Sequence, residues 1–193
     1  DDDRYGGLLT QGALLTVHAL PVSSSPIHRG VLIRERFMCQ ELPPPPANLD
    51  TSPPAMDSSL STRERYEQHV ADPACSSCHD LIDSIGFGFE NYDGIGRYRE
   101  YDGVHPVDSS GSVFHPGGSF ESFNGVQELS QLLADDPLTS TCYVQQWFTF
   151  GFGVGDMTDP AIACAVSDAT STHDVNGSTM QSPLFGLTQL SRF

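Results

Sequence analysis

Cys75-Ser76-Ser77-Cys78-His79 is the stretch on which the reading of this chain turns. Two thiols three positions apart match the spacing of the two vinyl groups on one haem edge, where they form thioethers. The histidine directly after them then presents its ring to the iron. Cys75, Cys78 and His79 are therefore the expected attachment and proximal-ligand residues of a single, covalently bound haem c. Two other chemistries use paired cysteines. A thioredoxin-type redox pair wants a βαβ setting, and none surrounds this motif. A structural zinc site wants two more ligands at similar spacing; no second Cys-x-x-Cys exists, so His69 and one distant cysteine would have to serve.

Working outward, Ser61-Thr62-Arg63-Glu64 has the capping-box pattern, a serine cap with glutamate three residues on. A short helix is expected to run to about Val70 and end at Asp72-Pro73, delivering the chain to the motif. From Ile82 to Ser119 the sequence is rich in Gly, Asp and aromatics and reads mostly as loop. Arg97-Tyr98-Arg99-Glu100-Tyr101 before Asp102-Gly103 opens a short hairpin there. Gly86-Phe87-Gly88-Phe89 reads either as a close backbone approach to the haem or as an ordinary turn.

Upstream, Ser25-Pro26 starts a helical stretch carrying Ile27, Val31, Phe37, Met38 and Leu42. The prolines at 43–46 then lock an extended strap. Downstream, Asn124 caps a helix with Val126, Leu129, Leu132 and Leu133, Pro137 opens another, and Asp159-Pro160 begins a third. Trp147, Phe148 and Phe150 read as core, and a final apolar stretch holds Leu184, Phe185, Leu187 and Leu190. The expected fold is mainly α, a cytochrome c-like helical haem domain with long loops and one short hairpin. Its expected divisions are an N-terminal segment and strap (1–60), a haem-binding core (61–123) and a C-terminal helical region (124–193).

Charge narrows the partners. Among 193 residues, 25 acids face nine basic residues, all arginine, for a formal charge of −16. That field repels phosphate backbones and anionic lipid, so nucleic-acid and membrane-surface binding are disfavoured, and it suits a redox partner with a basic surface. No apolar run nears the roughly 20 residues of a membrane span. The chain begins at Asp1, which reads as a processed, excised or partial product.

Three cysteines remain, Cys39, Cys142 and Cys164. Haem of this type is attached outside the cytoplasm, where spare thiols oxidise. A Cys142–Cys164 bridge between two C-terminal helices is the favoured pairing and leaves Cys39 odd, although spacing alone does not fix the connectivity.

A wider pattern joins these residues. Arg63-Glu64-Arg65, His69, Asp72-Pro73, Cys75 to His79, Ile82-Asp83, Gly86-Phe87, Phe89-Glu90, Tyr92-Asp93, Tyr98-Arg99 and Pro106-Val107-Asp108 together resemble one family. It is the cytochrome c-like haem domain, formally of unknown function, of large secreted planctomycete and myxobacterial proteins. The likeness continues upstream through Gly7-Leu8-Leu9-Thr10, Arg29-Gly30 and Cys39. Downstream, Cys142, Phe148 and Gly151 through Cys164 resemble the small helical domain that usually follows. The resemblance implies a haem-binding C-terminal half of a longer exported protein, in the periplasm or outside the cell. It supplies no reaction. The chain departs from the pattern at Asp83-Ser84, where the family has Asp-Pro and a prolyl carbonyl would orient the His79 ring, and at Gly155-Asp156 or Gly153-Val154, where the family has Gly-Arg.

The second face of the iron separates the functional readings. His69 is the first candidate for a distal ligand, Met157 the second and Met56 the third. Arg97 and Arg99 are candidate partners for the haem propionates, with surface ion pairs as the alternative. Asp83, Glu90, Asp93, Asp102 and Asp108 read either as a calcium site or as a solvated acidic loop. The leading expectation is a mono-haem c-type cytochrome that carries single electrons outside the cytoplasm, as part of a larger redox assembly. The alternatives are a peroxidase- or oxidase-like enzyme with an open distal face, and a surface structural protein whose haem or zinc serves folding.

Overall fold

The computed structural model describes residues 4–45, 51–69, 73–115, 118–153 and 155–175, with Thr179 and Gln181. Val70 to Asp72 and the apolar stretch from Leu184 to Leu190 lie outside these residues. The described chain is mainly helical: α1 (Gly12–Val17), α2 (Pro26–Leu32), α3 (Thr62–His69), α4 (Pro73–Gly86), α5 (Gly125–Asp135), α6 (Pro137–Phe152) and α7 (Pro160–Val175). Two antiparallel hairpins pair β1 (Tyr101–Asp102) with β2 (His105–Pro106), and β3 (Ser110–Phe114) with β4 (Phe120–Asn124). The chain forms two compact units, residues 1–35 with 40–132, and residues 36–39 with 133–193.

The first unit is built on α2 and α4. Ser25 caps α2 by accepting the amide of His28 at 3.3 Å, and Pro26 takes the first turn, as the sequence predicts. The two helices meet at glycine. A Cβ at Gly30 would strike the Ile82 carbonyl, and one at Gly86 the Pro26 carbonyl. The close approach that Gly86 permits is thus to the backbone of α2. Gly111 of β3 lies under the Ser84 carbonyl in the same way, and Ser84 Oγ accepts the Ser112 amide at 2.8 Å. Ile82, Ile85, Phe87, Phe89, Val113, Phe123, Val126 and Leu129 form the core around this contact.

Two arginines are buried inside this unit. Arg29 donates to the carbonyls of Phe89, Tyr92 and Asp93 at 3.1, 2.7 and 2.7 Å, which satisfies a run of backbone acceptors where α4 passes into the loop. Burial pulls its guanidinium down to about 10, with Glu90 opposing the shift, so it stays charged at neutral pH. Arg34 donates to the carbonyls of Leu81 and Phe114, joining α4 to β3.

Residues 82–119 are loop-rich as expected but carry more regular structure than the sequence predicts: α4 runs to Gly86, and Ser110–Phe114 is a strand with its own hairpin, beside the expected one at Tyr101–Pro106. α3 ends at His69, close to the expected Val70, but the motif does not lie in a loop after it: Pro73 opens a second helix, α4, so positions 75–79 sit in its first turns. The disulfide joins Cys39 to Cys142, not Cys142 to Cys164; Cys164 is a free, exposed thiol on α7.

In the second unit α6 and α7 pack through Val144, Phe148, Ala165, Val166 and Ala169. Asp136 caps α6, and Gly153 at φ 69° ends it in the left-handed conformation. Phe148 is core as expected, whereas Phe150 is exposed. The bridge closes a loop of 103 residues; the chain-entropy model assigns a loop of that length roughly 4.7 kcal/mol, and disulfides typically contribute about 2–4 kcal/mol. Dithiothreitol, or Cys142→Ser, should therefore lower the thermal midpoint by several degrees, and a scan unmoved by reduction would contradict that contribution.

Candidate functional site

α4 positions the motif. At 3.6 residues per turn, positions 75, 78, 79 and 83 lie along one side of the helix. The side chains of Cys75 and Cys78 are outside the described set, and His79 is the member whose geometry can be followed. Its Nδ1 lies 3.0 and 3.1 Å from the two oxygens of Asp83, one turn further along the helix. Asp83 is almost fully buried, while the His79 ring keeps 17% of its surface. A buried carboxylate on Nδ1 fixes the ring's orientation and directs Nε2 to the opposite side, the arrangement by which proteins orient metal-bound histidines.

The Asp83 contact answers the departure seen in the sequence. With serine at 84 there is no prolyl residue to orient the ring, but the carboxylate one position earlier holds it. Ser84 has different work, pinning β3 through Ser112. Sequence reasoning placed Asp83 in an acidic loop; the readable signal was its spacing of four from His79 on a helix. Hydrogen bonding to Asp83 raises the His79 pKa, against the opposing effect of burial.

The other candidates have separate surroundings. Arg97 is largely exposed and pairs with Asp93 at 3.2 Å. Arg99 is enclosed, bonded to Glu90 at 2.7 Å and to Asp102 at 2.5 Å, so carboxylates of this same loop region hold both guanidinium groups. Met157 packs against the cluster of α6 and α7. Met56 accepts from Arg65 at 3.3 Å. His69 is the last residue of α3, and its side chain is outside the described set. Among the described residues no group of three or more histidines, cysteines or carboxylates is placed to hold a metal ion, which leaves the calcium reading of the loop without support.

The profile of one protein family, described as PSCyt3, protein of unknown function (DUF1588), matches residues 5–102, just over half of the chain. The chain belongs to the PSCyt3 family. The PSCyt3 match spans α1 to α4 and reaches β1, so it takes in Cys75, Cys78, His79 and Asp83 together with the α2–α4 contact. Residues 103–193, including α5 to α7, lie beyond it. No curated protein and no solved structure matches the chain.

A pH signature follows from the His79–Asp83 pair in haem-free protein. The folded-state pKa of His79 is raised above its ordinary 6.5, so the charged ring stabilises the fold. That contribution is complete below the unfolded value and disappears as pH rises through the raised folded value. Asp83→Asn should bring the His79 titration, followed by the ring-proton NMR shift, downward and flatten the stability profile over that window. An unchanged titration would contradict the pairing.

Proposed function

We propose that this chain is a mono-haem c-type cytochrome carrying single electrons outside the cytoplasm. The observation that carries the reading is a Cys-x-x-Cys-His motif in the opening turns of α4 whose histidine is oriented through Nδ1 by a buried carboxylate. The donor set fits a covalently attached haem. Cys75 and Cys78 would form the thioethers, and His79 Nε2 would be the proximal ligand. Bound in this way, haem supplies a reversible one-electron iron couple. His69 is the residue proposed for the distal face, with Arg97 and Arg99 as partners for the propionates. Asp83 fixes the tautomer of His79 and raises its basicity as a ligand.

The setting supports the same reading. A disulfide between Cys39 and Cys142 suits an oxidising compartment, and the proposed location is periplasmic or extracellular. No helix among the described residues is long and apolar enough to cross a membrane. The charge of −16 favours a redox partner that presents a basic surface. The family designation, PSCyt3, is in keeping with a cytochrome. Potentiometric titration of the purified protein is the test. The expected result is a single reversible transition fitted by one electron; a haem that stays in one redox state across the accessible range would overturn electron carriage.

A further inference from the structure

A second site lies in the first unit. Next to the loop that follows α1, a cavity of about 650 Å³ opens between Thr16–Ser24, the start of α3 and the 93–102 loop. Its size is that of a small-molecule site. Two kinds of group line it.

One kind is apolar. Val22, Met56 and Ile95 are exposed by 75, 63 and 70% and gather at this cavity with Leu20. Large apolar side chains left together in water mark a binding surface more often than scattered ones do.

The other kind is ionic, and its pairing is incomplete. Asp102 receives Arg99 on one oxygen and the Thr62 amide on the other, both at 2.5 Å. Asp93 receives Arg97 and the amides of Ile95 and Arg97. Arg99 is also held by Glu90. Arg65 is different. It is 6% exposed, and among the described residues its guanidinium has no carboxylate at ion-pair distance. Its partners are the thioether of Met56 at 3.3 Å and the hydroxyl of Thr62 at 2.9 Å. A thioether is a weak acceptor, and a buried cation is costly unless paired. Of the charged residues that line the cavity, Arg65 and Arg99 are balanced by Asp93 and Asp102, and Arg65 is the cation without a contact ion pair among the described residues, its charge reaching Asp57 and Asp102 at longer range.

We propose that this cavity binds a free organic acid, a carboxylate on an apolar body. The carboxylate pairs with Arg65, and the body lies against Leu20, Val22, Met56 and Ile95. Among the described residues the cavity's lining takes in none of the motif on α4, although it shares Arg99 with the proposed propionate partners.

Calorimetric titration of the purified 193-residue chain with octanoate tests this, with octanamide as the uncharged comparator. Octanoate should bind one to one, and octanamide about tenfold more weakly or worse. Arg65→Met should weaken octanoate by a similar factor and leave octanamide unchanged. Should that variant fail to fold, Val22→Asp, at an exposed position on the cavity wall, replaces it. A new negative charge there should weaken octanoate about fivefold and spare the amide. Absence of octanoate binding at millimolar concentration, equal binding of acid and amide, or indifference of octanoate to Val22→Asp would each overturn the proposal.

Discussion

A Gly86→Ala chain is expected to lose about 3 kcal/mol of stability in urea denaturation, although alanine is the better helix former. Gly86 is the last residue of α4 and has φ −64°, ordinary right-handed helix, so no conformational freedom is being used. Propensity alone would make the substitution favourable by up to about 1 kcal/mol. The opposing effect is steric. The new Cβ would enter the Pro26 carbonyl, and backbone cannot move aside as a flexible side chain can. Gly30→Ala should behave alike, because its Cβ would meet the Ile82 carbonyl. Gly12→Ala in α1 is the control: its Cβ meets open space, and stability should hold or rise. Equal or greater stability in the Gly86 variant would contradict the account of how α2 seats on α4.

Replacing Cys75 and Cys78 together with serine should abolish covalent haem. Under the proposed function the two thioethers are the attachment, so a denaturing gel stained for haem should change from positive to blank. The helix should survive, because serine and cysteine differ little in helix propensity and the α2–α4 contact uses Gly30, Ile82, Gly86 and Pro26 instead. Far-ultraviolet circular dichroism of the haem-free variant checks that the loss is chemical. Equal staining of the variant would remove the motif from the account.

The cap signals in the sequence were strong where a short polar side chain met a proline. Ser25-Pro26, Pro137 and Asp159-Pro160 each start a helix at the predicted place, with Asp136 supplying the cap before Pro137, since the oxygen accepts an early amide and the proline gives up a donor the helix does not use. The same rule explains the error at Pro73. A proline reads equally as a stop for one helix and a start for the next, and the Cys-Ser-Ser-Cys run after it has neither strong propensity nor an apolar stripe to identify α4. What seats α4 is tertiary: Gly30 and Gly86 allow two backbones to touch, and no local pattern announces a glycine that meets a carbonyl from a distant segment.

The site was half legible for a related reason. Cys75, Cys78 and His79 are proposed as the haem-attachment residues from the Cys-x-x-Cys-His spacing alone. Asp83 became a partner of His79 only once both were known to share a helix. Arg99 was readable as a cation, but its enclosure by Glu90 and Asp102 depends on the folded loop. The Cys39–Cys142 bridge spans 103 residues, and choosing it over Cys142–Cys164 requires knowing that residues 36–39 pack with α6.

The most direct test is the absorption spectrum of the purified protein, air-oxidised and then dithionite-reduced, with and without carbon monoxide. The account predicts a sharp reduced band that carbon monoxide does not move, the mark of low-spin haem with two strong ligands. A band shifted by carbon monoxide would put an open distal face, and peroxidase-like chemistry, in place of electron carriage. A native protein with no haem band would contradict the central claim outright.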